Sequence, residues 1–167
     1  MPYVLNKLKL MLVEDDFAMR ALLRDVLNAF EVGEIRTAQD GSSALRQLKG
    51  YPADIVMVDW QMQPMNGMEF LKHIRHSAET PNPYVPVVML TAFSETPRVL
   101  ASRDAGITEF MVKPVTPKRL YSRIASVIED TRNFIRTPDF FGPDRRRSNR
   151  PFMGMDRRAP ESVIMLD

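Results

Sequence analysis

The chain has 167 residues, 44% of them hydrophobic and 26% charged, with a formal net charge of +2, no cysteine and two histidines. That length suits one domain of ordinary size with a single core and a short extension. The absence of cysteine excludes disulfides and thiolate chemistry, and His73 and His76 alone cannot make a histidine metal site.

No apolar run approaches the ~20 residues of a membrane span. Lys7 and Lys9 interrupt the only early apolar stretch, so neither membrane insertion nor a secretory signal is expected, and the expected location is the cytoplasm. Charge is unevenly divided: residues 1–131 carry 15 basic and 16 acidic side chains, residues 132–167 carry 8 and 5.

Strand-like and helical patterns alternate along the first 131 residues, the signature of a parallel sheet covered on both faces. Leu8 to Val13 is an apolar run that ends in Glu14-Asp15-Asp16. Phe17 to Phe30 follows with Met19, Leu22, Leu23, Val26, Leu27 and Phe30 at helical spacing. Glu34 to Ala38 reads as a weak strand and Ser42 to Leu48 as a short helix. The strand Asp54 to Asp59 is strong and closes on a carboxylate.

Asn66-Gly67 opens a third helix marked by Met68, Phe70, Leu71 and Ile74. Residues Ser77 to Tyr84 read as a surface loop. Val85 to Leu90 ends in Thr91, and a fourth helix from about Glu95 to Ala105 tolerates Pro97 in its first turn and stops at Gly106. Phe110 to Val112 leads into Lys113-Pro114. A fifth helix from about Pro117 to Phe134 turns Leu120, Tyr121, Ile124, Val127 and Ile128 inward. The expectation is an α/β fold of five strands and five helices.

Strand ends are where open α/β sheets build their sites. Here four of them deliver polar groups: Glu14-Asp15, Asp59, Thr91 and Lys113. Any one carboxylate at a strand end is ordinarily just solvated; it is the joint occurrence that points to chemistry. Clustered carboxylates raise one another's proton affinity unless a positive charge sits among them, and a hard divalent ion such as Mg²⁺ is a natural partner. Asp16 reads as a helix N-terminal acid, the twelve methionines as packing, and the two histidines as surface residues.

In order, spacing and chemistry these motifs resemble the receiver domain of two-component response regulators, over about residues 8 to 131. With right-handed crossovers, the resemblance implies a doubly wound, flavodoxin-like five-stranded parallel sheet of order 2-1-3-4-5, with Asp15 and Asp59 side by side at the switch point. It implies that Asp59 accepts a phosphoryl group from a phosphohistidine of a sensor histidine kinase or histidine phosphotransfer protein. Mg²⁺, or Mn²⁺ in its place, is then held by Asp15, Asp59, the Gln61 carbonyl and, through water, Glu14. Lys113 and Thr91 contact the phosphoryl group, and Thr91 and Phe110 form a switch read by a target on the face of helix 4, strand 5 and helix 5. Being Phe rather than Tyr, Phe110 signals by packing alone.

Two positions depart from the commonest family pattern. Gln63 stands where proline is usual, with Pro64 next, while Gly67 keeps the loop length. Phe93, with Gln61, lies where family members tune hydrolysis of the aspartyl phosphate, and its bulk suggests a long-lived phosphoryl state. The resemblance describes a phosphoacceptor that assists its own phosphorylation and dephosphorylation, not an enzyme; a homo-oligomer is compatible with it. A phosphorylation-independent pseudo-receiver is the competing reading, disfavoured by the intact Asp15, Asp59, Thr91 and Lys113. An aspartate-based phosphatase commonly has a second acid two positions after the nucleophile, where this chain has Gln61, and a carboxylate-lined pocket suits a flavin phosphate poorly.

We divide the chain into a receiver, residues 1–134, and an Arg-rich extension, residues 135–167. Within the extension Phe140-Phe141-Gly142-Pro143-Asp144-Arg145-Arg146 recurs twelve positions later as Phe152-Met153-Gly154-Met155-Asp156-Arg157-Arg158. Its Gly and Pro content forbids a regular helix. Three readings stand: a flexible solvated tail; a docking segment using Phe140, Phe141, Arg145, Arg146, Phe152, Arg157 and Arg158, for a partner or the receiver itself; and nucleic-acid contact through the arginines, diluted by Asp144 and Asp156. Ser162 to Leu166 is apolar enough to add as a strand or to fill a groove. No helix-turn-helix output domain fits in this length.

Overall fold

The computed structural model describes residues 3–92 and 96–146, together with the backbone of 162–164. A parallel sheet of order β2-β1-β3-β4-β5 forms the centre. Its strands are β1 (Lys9–Val13), β2 (Glu34–Ala38), β3 (Ile55–Asp59), β4 (Val87–Thr91) and β5 (Glu109–Val112). The crossovers carry α1 (Phe17–Ala29), α2 (Gly41–Leu48), α3 (Gly67–His76) and α4 (Thr96–Asp104), and α5 (Pro117–Ile128) follows β5. The strand order and helix count are those expected from the sequence.

Period-two alternation divides the strands between two cores. Met11, Val13, Val56, Val58, Val87 and Met89 pack with Phe70, Leu71 and Ile74 of α3. Leu10, Leu12, Ile55, Met57, Val88 and Leu90 pack with Leu23, Leu27, Leu120 and Ile124 of α1 and α5. Each β3 residue is buried, which is why that segment reads as a continuous apolar run.

Helix starts follow local chemistry. The carboxylates of Asp16 and Asp40 accept from the backbone N–H of Met19 and Ser43, each at 2.7 Å, and Asn66 and Glu69 form a reciprocal capping box at α3. Thr116 caps α5 ahead of Pro117.

Several details differ from expectation. Leu22 and Ile128, placed inward by spacing, are 55% and 43% exposed, because each lies at the margin of the apolar stripe of its helix. Helix α5 ends at Ile128, six residues short of Phe134, which belongs instead to the strand β6 (Phe134–Thr137). Arg132 fixes the break: its guanidinium binds the Asp130 carboxylate and donates to the Thr108 carbonyl at 2.7 Å.

β6 pairs antiparallel with β7 (Phe140–Pro143) and, on its other edge, with β8 (Ser162–Ile164). Thus 134–146 is not a solvated tail. Phe134, Ile135, Phe140 and Phe141 are buried, and the rings of Phe134 and Phe141 meet Tyr84 edge-on, with centroids 5.2 and 5.3 Å away. Residues 162–164 add as a strand, one of the two fates expected of that segment.

This hairpin covers Arg75 of α3, a guanidinium that sequence reading did not single out. Arg75 is 3% exposed and donates to the carbonyls of Gly106 (2.8 Å), Pro83 (2.7 Å) and Val85 (2.8 Å). Its charge lies over the Phe134 ring, 5.1 Å from the centroid. Burial pushes this guanidinium down to about 9, so it is charged at neutral pH.

Candidate functional site

Three carboxylates meet where β1 and β3 end. Oxygens of Glu14, Asp15 and Asp59 all lie within 4.8 Å of one another. Parallel pairing of β1 with β3 aligns Val13 with Val58, so the residues that follow emerge together at one rim. Glu14 and Asp59 are 1% and 5% exposed, whereas Asp15 faces solvent.

The Lys113 ammonium bridges the buried pair, 2.9 Å from Asp59 Oδ1 and 3.1 Å from Glu14 Oε2. The Lys113 N–H donates to the Thr91 carbonyl at 2.7 Å, so the end of β4 fixes the backbone that carries the ammonium. Thr91 is 1% exposed and lies opposite Val112 in the β4–β5 register. Four strand ends thus converge on one rim.

Burial pushes the Glu14 carboxyl up, with the Asp59 charge adding to the effect and Lys113 opposing it. Burial likewise holds Asp59 above the ordinary aspartate value against the hydrogen bond and charge of Lys113. For Lys113 burial pulls downward, but the bonds and charges of Asp59 and Glu14 together prevail and its pKa is raised. Two carboxyls that resist ionisation beside a third exposed acid form an all-oxygen donor set suited to a hard divalent cation.

Backbone packing positions the end of β3 that bears Asp59. Trp60 N–H donates to the Leu90 carbonyl at 2.8 Å, and Gly67 N–H donates to the Trp60 carbonyl at 2.9 Å. A Cβ on Gly67 would lie 2.4 Å from the Asp59 carbonyl oxygen and 2.7 Å from the Met89 sulfur. Only glycine fits there, which accounts for its place eight residues after Asp59.

The remaining expected residues are dispersed. Gln61 is exposed on the loop after β3. Phe110 is half-buried and packs against the core on the α3 side. Phe140 and Phe141 are buried in the hairpin, away from the acidic rim. Arg145 bonds Asp104 at 2.8 Å, and Arg146 pairs with Asp144. Phe93, Phe152, Arg157 and Arg158 lie outside the described residues.

Two contacts escaped sequence reading. Lys113 holds Glu14 as well as Asp59, and Arg20 of α1 donates to the Glu14 carbonyl at 2.6 Å. The second had a usable signal: Arg20 lies one helical turn after Asp16, on the side of α1 that returns to the β1 end.

Comparison with known proteins agrees with this geometry. The sequence profile of the family described as "Response regulator receiver domain" matches residues 10–125. The chain is 32% identical over 130 residues to chemotaxis protein CheY-3 of Vibrio cholerae, covering 77% of this chain and 98% of that protein. It is 33% identical over 122 residues to the phosphate regulon transcriptional regulatory protein PhoB of Escherichia coli, covering 72% of this chain but 51% of PhoB. Among solved structures, chemotaxis protein CheY4 of Vibrio cholerae superposes with a TM-score of 0.67 at 27% identity, covering 72% of this chain and 98% of that one. Profile, relatives, strand order and acidic rim agree: the chain belongs to the response regulator receiver domain family of two-component systems.

Proposed function

We propose that the protein is a single-domain response regulator that accepts a phosphoryl group on Asp59 and signals by phosphorylation-dependent protein binding. The observation that carries this reading is the Lys113 ammonium bridging Asp59 and Glu14 within the three-carboxylate cluster. It supports the reading because the Asp59 oxygen proposed as nucleophile, the Lys113 ammonium and the carboxylates proposed to hold a divalent ion lie together.

The donor is a phosphohistidine on a sensor histidine kinase or a histidine phosphotransfer protein. An Asp59 oxygen forms the new O–P bond as the N–P bond breaks, and the imidazole nitrogen leaves with that electron pair. Asp15, Asp59, the Gln61 carbonyl and, through water, Glu14 would hold Mg²⁺, with Mn²⁺ an acceptable substitute. When bound, the cation neutralises charge on the oxygens of the transferring group.

Lys113 stays beside the group as it arrives, exchanging a carboxylate partner for a phosphoryl oxygen. The Thr91 hydroxyl donates to the phosphoryl group, and its movement, with Phe110 turning inward, alters the face of α4, β5 and α5 that a downstream target reads. Gln61 and Phe93 set the access of water to the acyl phosphate. Residues 1–134 act as the receiver and 135–167 as its extension. The protein works as an acceptor in the cytoplasm; among the described residues no helix is long and apolar enough to cross a membrane.

The test is incubation with a small phosphodonor and Mg²⁺, followed by intact mass. Wild type should gain one phosphoryl group and Asp59→Asn none. A wild type that gains nothing, or a variant that gains as much, overturns the assignment.

A further inference from the structure

Helix α4 is the least anchored helix of the receiver. Of its nine residues only Ser102 is buried, and Leu100 is 40% exposed. By contrast, α3 buries Phe70, Leu71 and Ile74. Little apolar burial holds α4 to the sheet, so its position depends on what grips its ends.

Its C-terminal end is gripped by the extension. Arg145 Nη1 donates to the Asp104 carboxylate at 2.8 Å, and the same guanidinium stacks over Phe140, 4.4 Å from the ring centroid. Two residues after Asp104, Gly106 takes a φ of +92° to turn the chain into β5. Gly142 of β7 lies against that turn so closely that a Cβ on it would be 2.4 Å from Gly106 Cα. From the other side Arg75 Nε donates to the Gly106 carbonyl, with Phe134 lying under its guanidinium.

We infer that the hairpin of β6 and β7 is an intramolecular latch on the α4–β5 corner. The extension, through Gly142 and Arg145, restrains the end of a helix that the receiver's own core holds weakly. The latch acts at the Asp104 end, whereas the other end of α4 follows the strand that terminates in Thr91. A rearrangement of α4 must therefore break or carry the latch with it, and latch and corner influence each other equally. The inference stands on packing alone and does not depend on phosphoryl transfer.

Hydrogen exchange of the full chain, without phosphodonor or metal, tests it. Gly142→Ala forces the clash at Gly106, and Arg145→Ala removes the ion pair while leaving the backbone contact intact. We expect amides of residues 100–107 to exchange about threefold faster in Arg145→Ala, as for a single exposed pair, and about tenfold or more faster in Gly142→Ala. Amides of β1 and β3 should be unchanged in both. If Gly142→Ala speeds exchange in the hairpin while residues 100–107 keep their protection, the latch is overturned. It is equally overturned if neither variant alters the hairpin or α4. Should Gly142→Ala loosen the whole fold, Arg145→Ala decides: unchanged exchange at 100–107 refutes the inference.

Discussion

Replacing Lys113 by methionine keeps much of the side-chain stem and removes the charge that the acidic rim is built around. The ammonium lies 2.9 Å from Asp59 and 3.1 Å from Glu14. At an effective dielectric constant of about 20, each contact is worth roughly 5–6 kcal/mol of gross attraction. Repulsion between two carboxylates no more than 4.8 Å apart is at least about 3.5 kcal/mol on the same footing. Desolvation cancels much of the gain, and removing one partner of a buried pair costs about 3–5 kcal/mol. Lys113 keeps 21% of its side-chain surface exposed, which lowers our expectation for the metal-free protein to about 2–3 kcal/mol near pH 8.

The loss should depend on pH. Glu14 and Asp59 have folded-state pKa values above their ordinary ones, so their protonation stabilises the fold at low pH and that contribution fades as pH rises through the folded values. Without the ammonium both carboxyls move further up. The deficit of Lys113→Met should thus be small near pH 5 and largest near pH 8, and Mg²⁺ should restore more stability to the variant than to wild type. Urea denaturation followed through Trp60, the single tryptophan, measures all three quantities. Equal losses at both pH values, with equal Mg²⁺ effects, would refute the reasoning.

Two further substitutions probe the scaffold. Arg75→Ala strips the donors from the carbonyls of Gly106, Pro83 and Val85; each orphaned oxygen costs about 1–3 kcal/mol, partly offset by removing a desolvated cation, so a net loss of about 3–5 kcal/mol is expected by chemical denaturation. A loss below about 1 kcal/mol would show that water satisfies those carbonyls. Gly67→Ala forces a Cβ against the Asp59 carbonyl and the Met89 sulfur. Overpacking of this kind costs about 1–3 kcal/mol, and because the displaced backbone carries Asp59, the yield of phosphoadduct should fall as well; full yield at wild-type stability would contradict the packing described.

The central sheet was readable because β3 and β4 are buried along their whole length and β1 from Leu10 onward, so that they appear as apolar runs ending in polar residues. β2, an edge strand with Arg36 exposed, carries a weaker signal for the same physical reason. Helix α5 was read too long because Phe134 falls seven residues after Val127 and so continues the helical stripe; its real partners, Tyr84 and Phe141, are tertiary and invisible to periodicity. Arg75 sits four residues after Leu71 on an inward face, where a charged residue would ordinarily be assigned to solvent. At the site, spacing brought Asp59, Thr91 and Lys113 to light, but no spacing rule indicates that Lys113 also holds Glu14.

The guanidinium of Arg75 has one more consequence. It fastens the turn at Gly106, the carbonyls of Pro83 and Val85 and the ring of Phe134, which are far apart in the chain. Descendants of this sequence that lose the arginine should also lose the aromatic ring and remodel the 83–85 loop, so these positions are expected to drift as a set.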